Sequence, residues 1–332
     1  MRWFCGLLVL LTGVVGLAVT EAKYTFYFVT HMGPADPNTQ WYLAGIKEAE
    51  KILPIKVIYS APEVFSVEKQ RELIEAAIAA KPDGLVVSIT DPVAFDEPLR
   101  RAIAEGLPVV AVNIPDMRPE SERIPYIAYV GGDEYLTGYK IAERVYQEAQ
   151  ARGVKPVKAL FINHHVGHAG IMARYKGWCD FFEPLGVKTV HLAASEDPTV
   201  LYEVTRSGLE ANPDVNLIFA PAGWAAPWAH KAAKDLGRAD QILFGTVDDS
   251  PFSIEGILRG YLVCSHSQQF FLQGFLPVMW LYIYLEYGYK PALVNQLTGP
   301  IIIDKSNAME FKEANLKVLG EELYNKLIIW TY

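Results

Sequence analysis

The chain has 332 residues, enough for two domains of about 150 residues each. Its 30 Lys and Arg against 38 Asp and Glu leave a formal net charge of −8, with no basic run, which argues against nucleic acid and anionic membrane surfaces as partners. Three cysteines, Cys5, Cys179 and Cys264, are too few for a disulfide framework.

Arg2, the apolar run Trp3–Val19 and then Thr20-Glu21-Ala22 have the charged start, apolar middle and small-residue end of a secretory signal over residues 1–22. A permanent anchor is the competing reading, because the run falls just short of the ~18–20 residues that span a bilayer. With the signal removed, the protein is expected in the periplasm or another extracytoplasmic space, with no stable membrane insertion. Cys179 and Cys264 then remain and read as two small buried residues rather than a pair.

The first strand is expected over Tyr24–Thr30, followed by a loop to Asn38 broken by Gly33, Pro34 and Pro37. A helix follows over Thr39–Ile52, then a strand over Ile55–Tyr59 and a helix over Val67–Ala80 capped by Ser66. The strand Gly84–Ser88 and the helix Ala94–Glu105 come next. Gly106 can take the positive φ of a helix end, and Pro108 stops further helix. Val109–Val112 is then an apolar, β-branched run, as in a strand buried on both faces, with Asn113 at its tip.

A strand over Ile127–Val130 is expected to break at Gly131-Gly132, after which the alternation restarts. Helices are expected over Glu134–Ala151, Ala169–Glu183, Thr199–Ala211, Trp224–Leu236 and Pro251–Arg259. The strands between them are Val157–Asn163, Val187–Leu192, Asn216–Ala220, Ile242–Val247 and Tyr261–His266. A long apolar helix, Phe270–Tyr287, leads into a loop at Gly288–Pro300, a strand at Ile301–Asp304 and a helix at Ala308–Leu319. The pattern implies an α/β protein of two similar doubly wound parallel sheets.

In such sheets ligands bind at the carboxyl ends of the strands. The residues there are Thr30 and His31, Ser88, Asn113, Asn163, Asp248 and Gln268, with Trp224 opening the helix after one strand. They come from both halves and are expected to converge on one cleft. Amides, hydroxyls and a carboxylate suit a ligand rich in hydroxyls, and an aromatic face suits the C–H face of a sugar. Asn113 also reads as a turn former, and Asp248-Asp249 as a helix cap. Arg174 sits at a helix start near the cleft. Trp224 and Trp228, four apart, fit a core face, with Trp224 the better ligand candidate.

His164, His165 and His168 lack the helical HExxH frame of a zinc protease, so they read as cleft-lip or solvated residues and no metal is expected. No GxSxG, phosphate loop, GxGxxG after a strand or CxxC pair occurs. Asp248 and Asp249 are adjacent, which makes a poor acid/base pair. No enzyme activity and no cofactor is expected.

The ordered pieces Asp83-Gly84-Leu85-Val86-Val87, Ala104 to Asn113, Val130-Gly131-Gly132-Asp133-Glu134-Tyr135 with Gly138, and Arg174-x-x-Gly177-Trp178 carry a resemblance. So do Asn212-Pro213-Asp214-Val215, Gly245-Thr246-Val247-Asp248, Gln268 with Gly274, and Thr298-Gly299-Pro300. Together they resemble the type I periplasmic binding proteins, in the ribose-binding and LacI-like sugar-binding group.

The resemblance implies two lobes joined by a three-segment hinge, near residues 130–132, 266–268 and 298–302. Residues 23–131 plus 268–299 would form the N-terminal lobe, and 132–267 plus 300–332 the C-terminal lobe. It implies a monomer that closes on one small sugar and delivers it to an ABC transporter permease. Ser88, Asn113, Arg174, Asp248 and Gln268 match the family's ligand-contacting places. Asn38 and Thr39 fall where the family often has stacking aromatics, so stacking passes to Trp224. The expected ligand set is His31, Asn38, Thr39, Ser88, Asn113, Arg174, Trp224, Asp248 and Gln268. The competing functions are a ligand-presenting sensor for a chemoreceptor or membrane kinase, a repressor, and a secreted sugar hydrolase, for which a second well-placed carboxylate is wanting.

Overall fold

The computed structural model describes residues 21–34 and 36–330, so the signal expected over residues 1–22 lies almost wholly outside the described residues. The chain begins β1 (Tyr24–Val29), α1 (Thr39–Ile52), β2 (Ile55–Ser60), α2 (Val67–Ala79), β3 (Gly84–Val87), α3 (Pro92–Ala104), β4 (Val109–Val112) and β5 (Ala128–Gly132). It continues α4 (Glu134–Ala151), β6 (Lys158–Asn163), α5 (Ala169–Phe182), β7 (Lys188–Ala193), α6 (Pro198–Ala211), β8 (Leu217–Ala220), α7 (Ala226–Asp235), β9 (Leu243–Thr246) and α8 (Pro251–Leu258). It ends β10 (Ser265–Ser267), α9 (Phe270–Tyr287), β11 (Asn295–Gly299), β12 (Ile301–Ile303), α10 (Ala308–Leu319) and α11 (Glu321–Lys326).

Two parallel sheets result, in the orders β11-β5-β4-β3-β1-β2 and β7-β6-β8-β9. Alternation along each strand explains the unbroken apolar runs. Val86, Val110 and Val112 pack on the side of α1 and α9, with Tyr42 and Val278. Leu85, Val87 and Val109 pack on the side of α2 and α3, with Ile74 and Leu99. In the second sheet Leu160 and Ile218 meet Leu209 and Ala229, while Phe161 and Phe219 meet Ile141 and Trp178.

Two helix pairs cross at backbone contact. A Cβ on Gly45 would stand 2.1 Å from the Phe271 carbonyl oxygen, and one on Gly274 2.3 Å from that of Tyr42. Across α4 and α5, a Cβ on Gly138 would stand 1.9 Å from the Arg174 oxygen and one on Gly177 2.0 Å from the Tyr135 oxygen. Only glycine permits such an approach, which accounts for the glycines in the motifs above.

The chain passes between the sheets after Gly132, after Ser267 and between Gly299 and Ile301. There β10 and β12 pair antiparallel, Ser265 opposite Ile303. The buried His266 ring lies at their centre: a Cβ on Gly299 would be 2.6 Å from its Nε2, and one on Gly132 3.6 Å from its Cε1. Burial pushes His266 down to about 3, so it is neutral there.

Some expectations need correction. Gly131 and Gly132 do not break β5; they end it, and Gly132 pairs with Gly299. The expected loop Gly288–Pro300 contains β11, an edge strand whose mostly exposed residues lack an apolar signature. The strand expected over Tyr261–His266 forms at Ser265–Ser267 instead. Helix α7 starts at Ala226, helped by Pro227 in its first turn, so Trp224 stands in the turn before it. Cys179 and Cys264 are free and buried. Among the described residues, no helix is long and apolar enough to cross a membrane.

Candidate functional site

The strand ends of both sheets converge on one pocket. Of the expected set, His31, Asn38, Asn113, Arg174, Trp224, Asp248 and Gln268 line it, together with His164, His165, His168, Asp36 and Phe270. Ser88 and Thr39 stand one layer behind. The Ser88 hydroxyl receives the His31 backbone N–H at 3.1 Å and lies 3.1 Å from its Nδ1. Thr39, the first residue of α1, donates to the Gly33 carbonyl at 2.8 Å and so ties down the β1–α1 loop. Both therefore shape the pocket rather than line it.

Backbone strain marks the same place. Asn113 (φ 60°), Asp248 (φ 76°) and Gln269 (φ 53°) follow β4, β9 and β10 in the left-handed region. Asn and Asp tolerate that region better than other non-glycine residues, so their turn-forming and site roles coincide.

An amide–carboxylate chain threads the site. Asn113 donates from Nδ2 to Gln268 Oε1 at 3.0 Å and to Gln273 Oε1 at 3.1 Å. Gln268 donates to Asp248 Oδ1 at 2.7 Å, while Asp248 Oδ2 accepts from Asn38 Nδ2 at 3.0 Å and from the Gly223 N–H at 3.1 Å. Tyr42 and Thr298 anchor Gln273 from behind.

Arg174, buried on α5, pairs with Glu134 at the start of α4 and donates to the Pro221 carbonyl at 2.9 Å. Burial alone would lower the Arg174 pKa, but Glu134 outweighs it and holds the guanidinium charged. Burial raises the Glu134 carboxyl above its ordinary value despite that partner, and its Oε1 has no partner among the described residues. Burial also pushes Asp36 up to about 8, with Asp248 and Glu196 adding to the rise.

The histidines correct the expectation of a cleft lip or solvation: His164, His165 and His168 are buried inside the pocket. His31 and His168, from opposite lobes, lie Nε2 to Nε2 at 3.4 Å. Burial, then repulsion from neighbouring cations, holds His31, His164 and His168 well below the ordinary histidine value. The His168 Nδ1 accepts the Ile171 N–H at 3.2 Å, so its proton belongs on Nε2. His165 Nε2 lies 2.7 Å from Glu196 Oε1. His31, His165 and His168 each offer a ring nitrogen within 4.8 Å of the others, a spacing that could hold a metal ion, while His165 Nε2 and His168 Nδ1 already have protein partners.

Aromatic faces surround these polar groups. Trp224 meets His164 edge to face at 5.0 Å, and Phe65 stacks on His165 at 4.4 Å. Sequence reasoning missed Asp36, Phe270 and Glu134. Asp36 sits in a loop of breakers, and Glu134 reads as an ordinary first-turn acid; its burial appears only once α4 and α5 are packed together.

A family model described as a periplasmic binding protein domain matches residues 29–290. The xylose/arabinose-binding protein XylF of Sulfolobus acidocaldarius is 29% identical over 312 residues, covering 89% of this chain and 75% of that protein. A periplasmic sugar-binding protein of a Legionella pneumophila ABC sugar transporter is 27% identical, with a TM-score of 0.74, over 82% of this chain and 98% of that one. A carbohydrate transporter protein of Acidothermus cellulolyticus, solved with myo-inositol, is 25% identical, with a TM-score of 0.78, over 91% and 99%. With the match spanning most of its length and two parallel-sheet lobes meeting at a shared pocket, the chain belongs to the periplasmic binding protein family.

Proposed function

We propose that this protein captures a small polyhydroxylated ligand, a sugar or a cyclitol, between its lobes and delivers it to an ABC importer. The observation that carries this reading is the convergence of amides, imidazoles and the carboxyl groups of Asp36 and Asp248 from both lobes on a buried pocket. Two of its buried polar atoms, Asn38 Oδ1 and His164 Nδ1, have no partner among the described residues. Such atoms are costly to leave unpaired, and ligand hydroxyls can satisfy them. The names of the relatives, xylose/arabinose-binding and in complex with myo-inositol, point the same way.

The mechanism is closure. The enclosed volume is about 30 Å³, room for about two waters, since one needs roughly 10–15 Å³. A sugar therefore enters only when the lobes part or side chains yield. The interlobe contacts Asn38–Asp248 and His31–His168 belong to the shut state. Ligand hydroxyls replace or extend them, so the shut form gains population in proportion to the ligand's preference for it, and the importer reads that form. The protein acts outside the cytoplasm as a monomer, after removal of residues 1–22. Neither a cofactor nor a bond-breaking step enters this scheme.

A thermal-shift screen of pentoses, hexoses, deoxysugars and inositols tests it. At one hundred times Kd a ligand stabilises the native state by about 2.7 kcal/mol, which raises Tm by several degrees. A flat response to every member would remove the sugar reading.

A further inference from the structure

The pocket does not end at Trp224. A second compartment of about 400 Å³ opens beyond it, lined by Pro37, Pro198, Trp224, Trp228, Phe252 and Leu327. Trp224 and Asp36 line both compartments, so the two are neighbours across these shared side chains. Like the inner pocket, the outer one draws on both lobes, with Pro37 and Glu63 on one side and Pro198, Trp228 and Phe252 on the other. The C-terminal segment supplies Lys326 and Leu327.

We infer that this outer compartment is a second subsite, which takes the second ring of a disaccharide whose first ring occupies the inner pocket. The inference rests on the sugar reading above and narrows its substrate class. The volume lies within the ~300–1,000 Å³ of small-molecule sites. Two indoles and a phenyl ring offer the flat apolar faces on which sugar C–H faces stack. Trp228 is only partly buried, packing on the lobe core while also lining the compartment. The acidic side chains Glu63 and Glu196 accept from hydroxyls and disfavour an anionic occupant such as a phosphorylated sugar. Lys326, paired with Glu322 at the exposed rim, is the one cation among the described lining residues, against the acidic Glu63 and Glu196. The lining thus matches a neutral ring with one apolar face and a rim of hydroxyls.

Titration calorimetry on the full chain decides it, using xylose, arabinose, glucose and galactose against xylobiose, cellobiose and lactose. A disaccharide is expected to bind at least tenfold more tightly than its component monosaccharide. Trp228→Ala should weaken that disaccharide about tenfold and leave the monosaccharide within twofold, while Trp228→Phe keeps most of the affinity. Leu327→Ala, at the other wall, is read the same way and guards against a folding defect in the first variant. Monosaccharides binding as tightly as disaccharides, or Trp228→Ala weakening both equally, would overturn the subsite and leave the sugar reading standing. If no sugar of either length binds, the sugar reading falls and the subsite with it.

Discussion

Asn38, at the start of α1, donates its amide N–H across the cleft to the Asp248 carboxylate at 3.0 Å, and this bond ties the two lobes together. Asp248 also receives Gln268 and the Gly223 N–H, so three donors from separate segments converge on one buried carboxylate. A hydrogen bond to a charged group contributes about 1.5–3 kcal/mol. Asp248→Asn keeps the shape and tolerates the left-handed backbone, but removes the charge. Calorimetry is expected to show ligand affinity reduced about ten- to a hundredfold, with a lower Tm as well, because one oxygen that accepts protein N–H groups becomes an NH2.

Arg174 behaves differently. From its sequence position alone, its removal should abolish binding and spare stability. The structure corrects that, because Arg174→Met leaves the Glu134 carboxylate buried and unpaired. Breaking one side of a buried ion pair costs about 3–5 kcal/mol. Denaturant melts should show a loss of that order, partly recovered in the double variant Glu134→Gln/Arg174→Met. An unchanged midpoint for the single variant would contradict the pairing.

Acid should destabilise the ligand-free protein. Burial holds His31, His164 and His168 well below their ordinary value and brings His230 to about 4 and His266 to about 3. The unfolded chain takes up these protons near pH 6.5 while the native one does not, so stability is full above that pH and falls below it. Asp36 at about 8, Asp249 at about 6 and the raised Glu134 work in the opposite direction, because the native state keeps protons that the unfolded state has released. Five histidines outweigh three carboxyls. Tm is expected to be lower at pH 5.5 than at pH 7, with a smaller drop in His31→Gln and His168→Gln. A Tm that rises on acidification would contradict this.

Gly138→Ala places a methyl group 1.9 Å from the Arg174 carbonyl oxygen, so α4 and α5 must separate. Overpacking of this kind costs about 1–3 kcal/mol or more. Because α5 carries Arg174, both Tm and ligand affinity should fall together. A variant that loses neither would show that the helices do not meet there.

Much of this was legible because the cues are local. Helices α1, α4, α9 and α10 have the expected bounds, and Val109–Val112 is the expected strand, because period, caps and β-branching act over a few residues. The convergence of Asn113 and Asp248 also follows from parallel-sheet geometry, while Gln268 joins them from the crossing after β10. What escaped sequence reasoning depends on partners far apart in the chain. Strand β11 is exposed and has no apolar period, and its pairing with β5 exists only after the second crossing has returned the chain to the first sheet. His165 and His168 are covered by His31 and Phe65 of the other lobe, more than ninety residues away in the chain, and His164 packs on Trp224.

The most direct test of the account is titration calorimetry of xylose, arabinose and myo-inositol into the wild-type protein and Asp248→Ala, with both proteins shown to be folded. The account predicts saturable one-to-one heat for at least one of these ligands with the wild type, and its loss in the variant. Equal binding by both proteins would contradict a ligand held at the strand ends between the lobes.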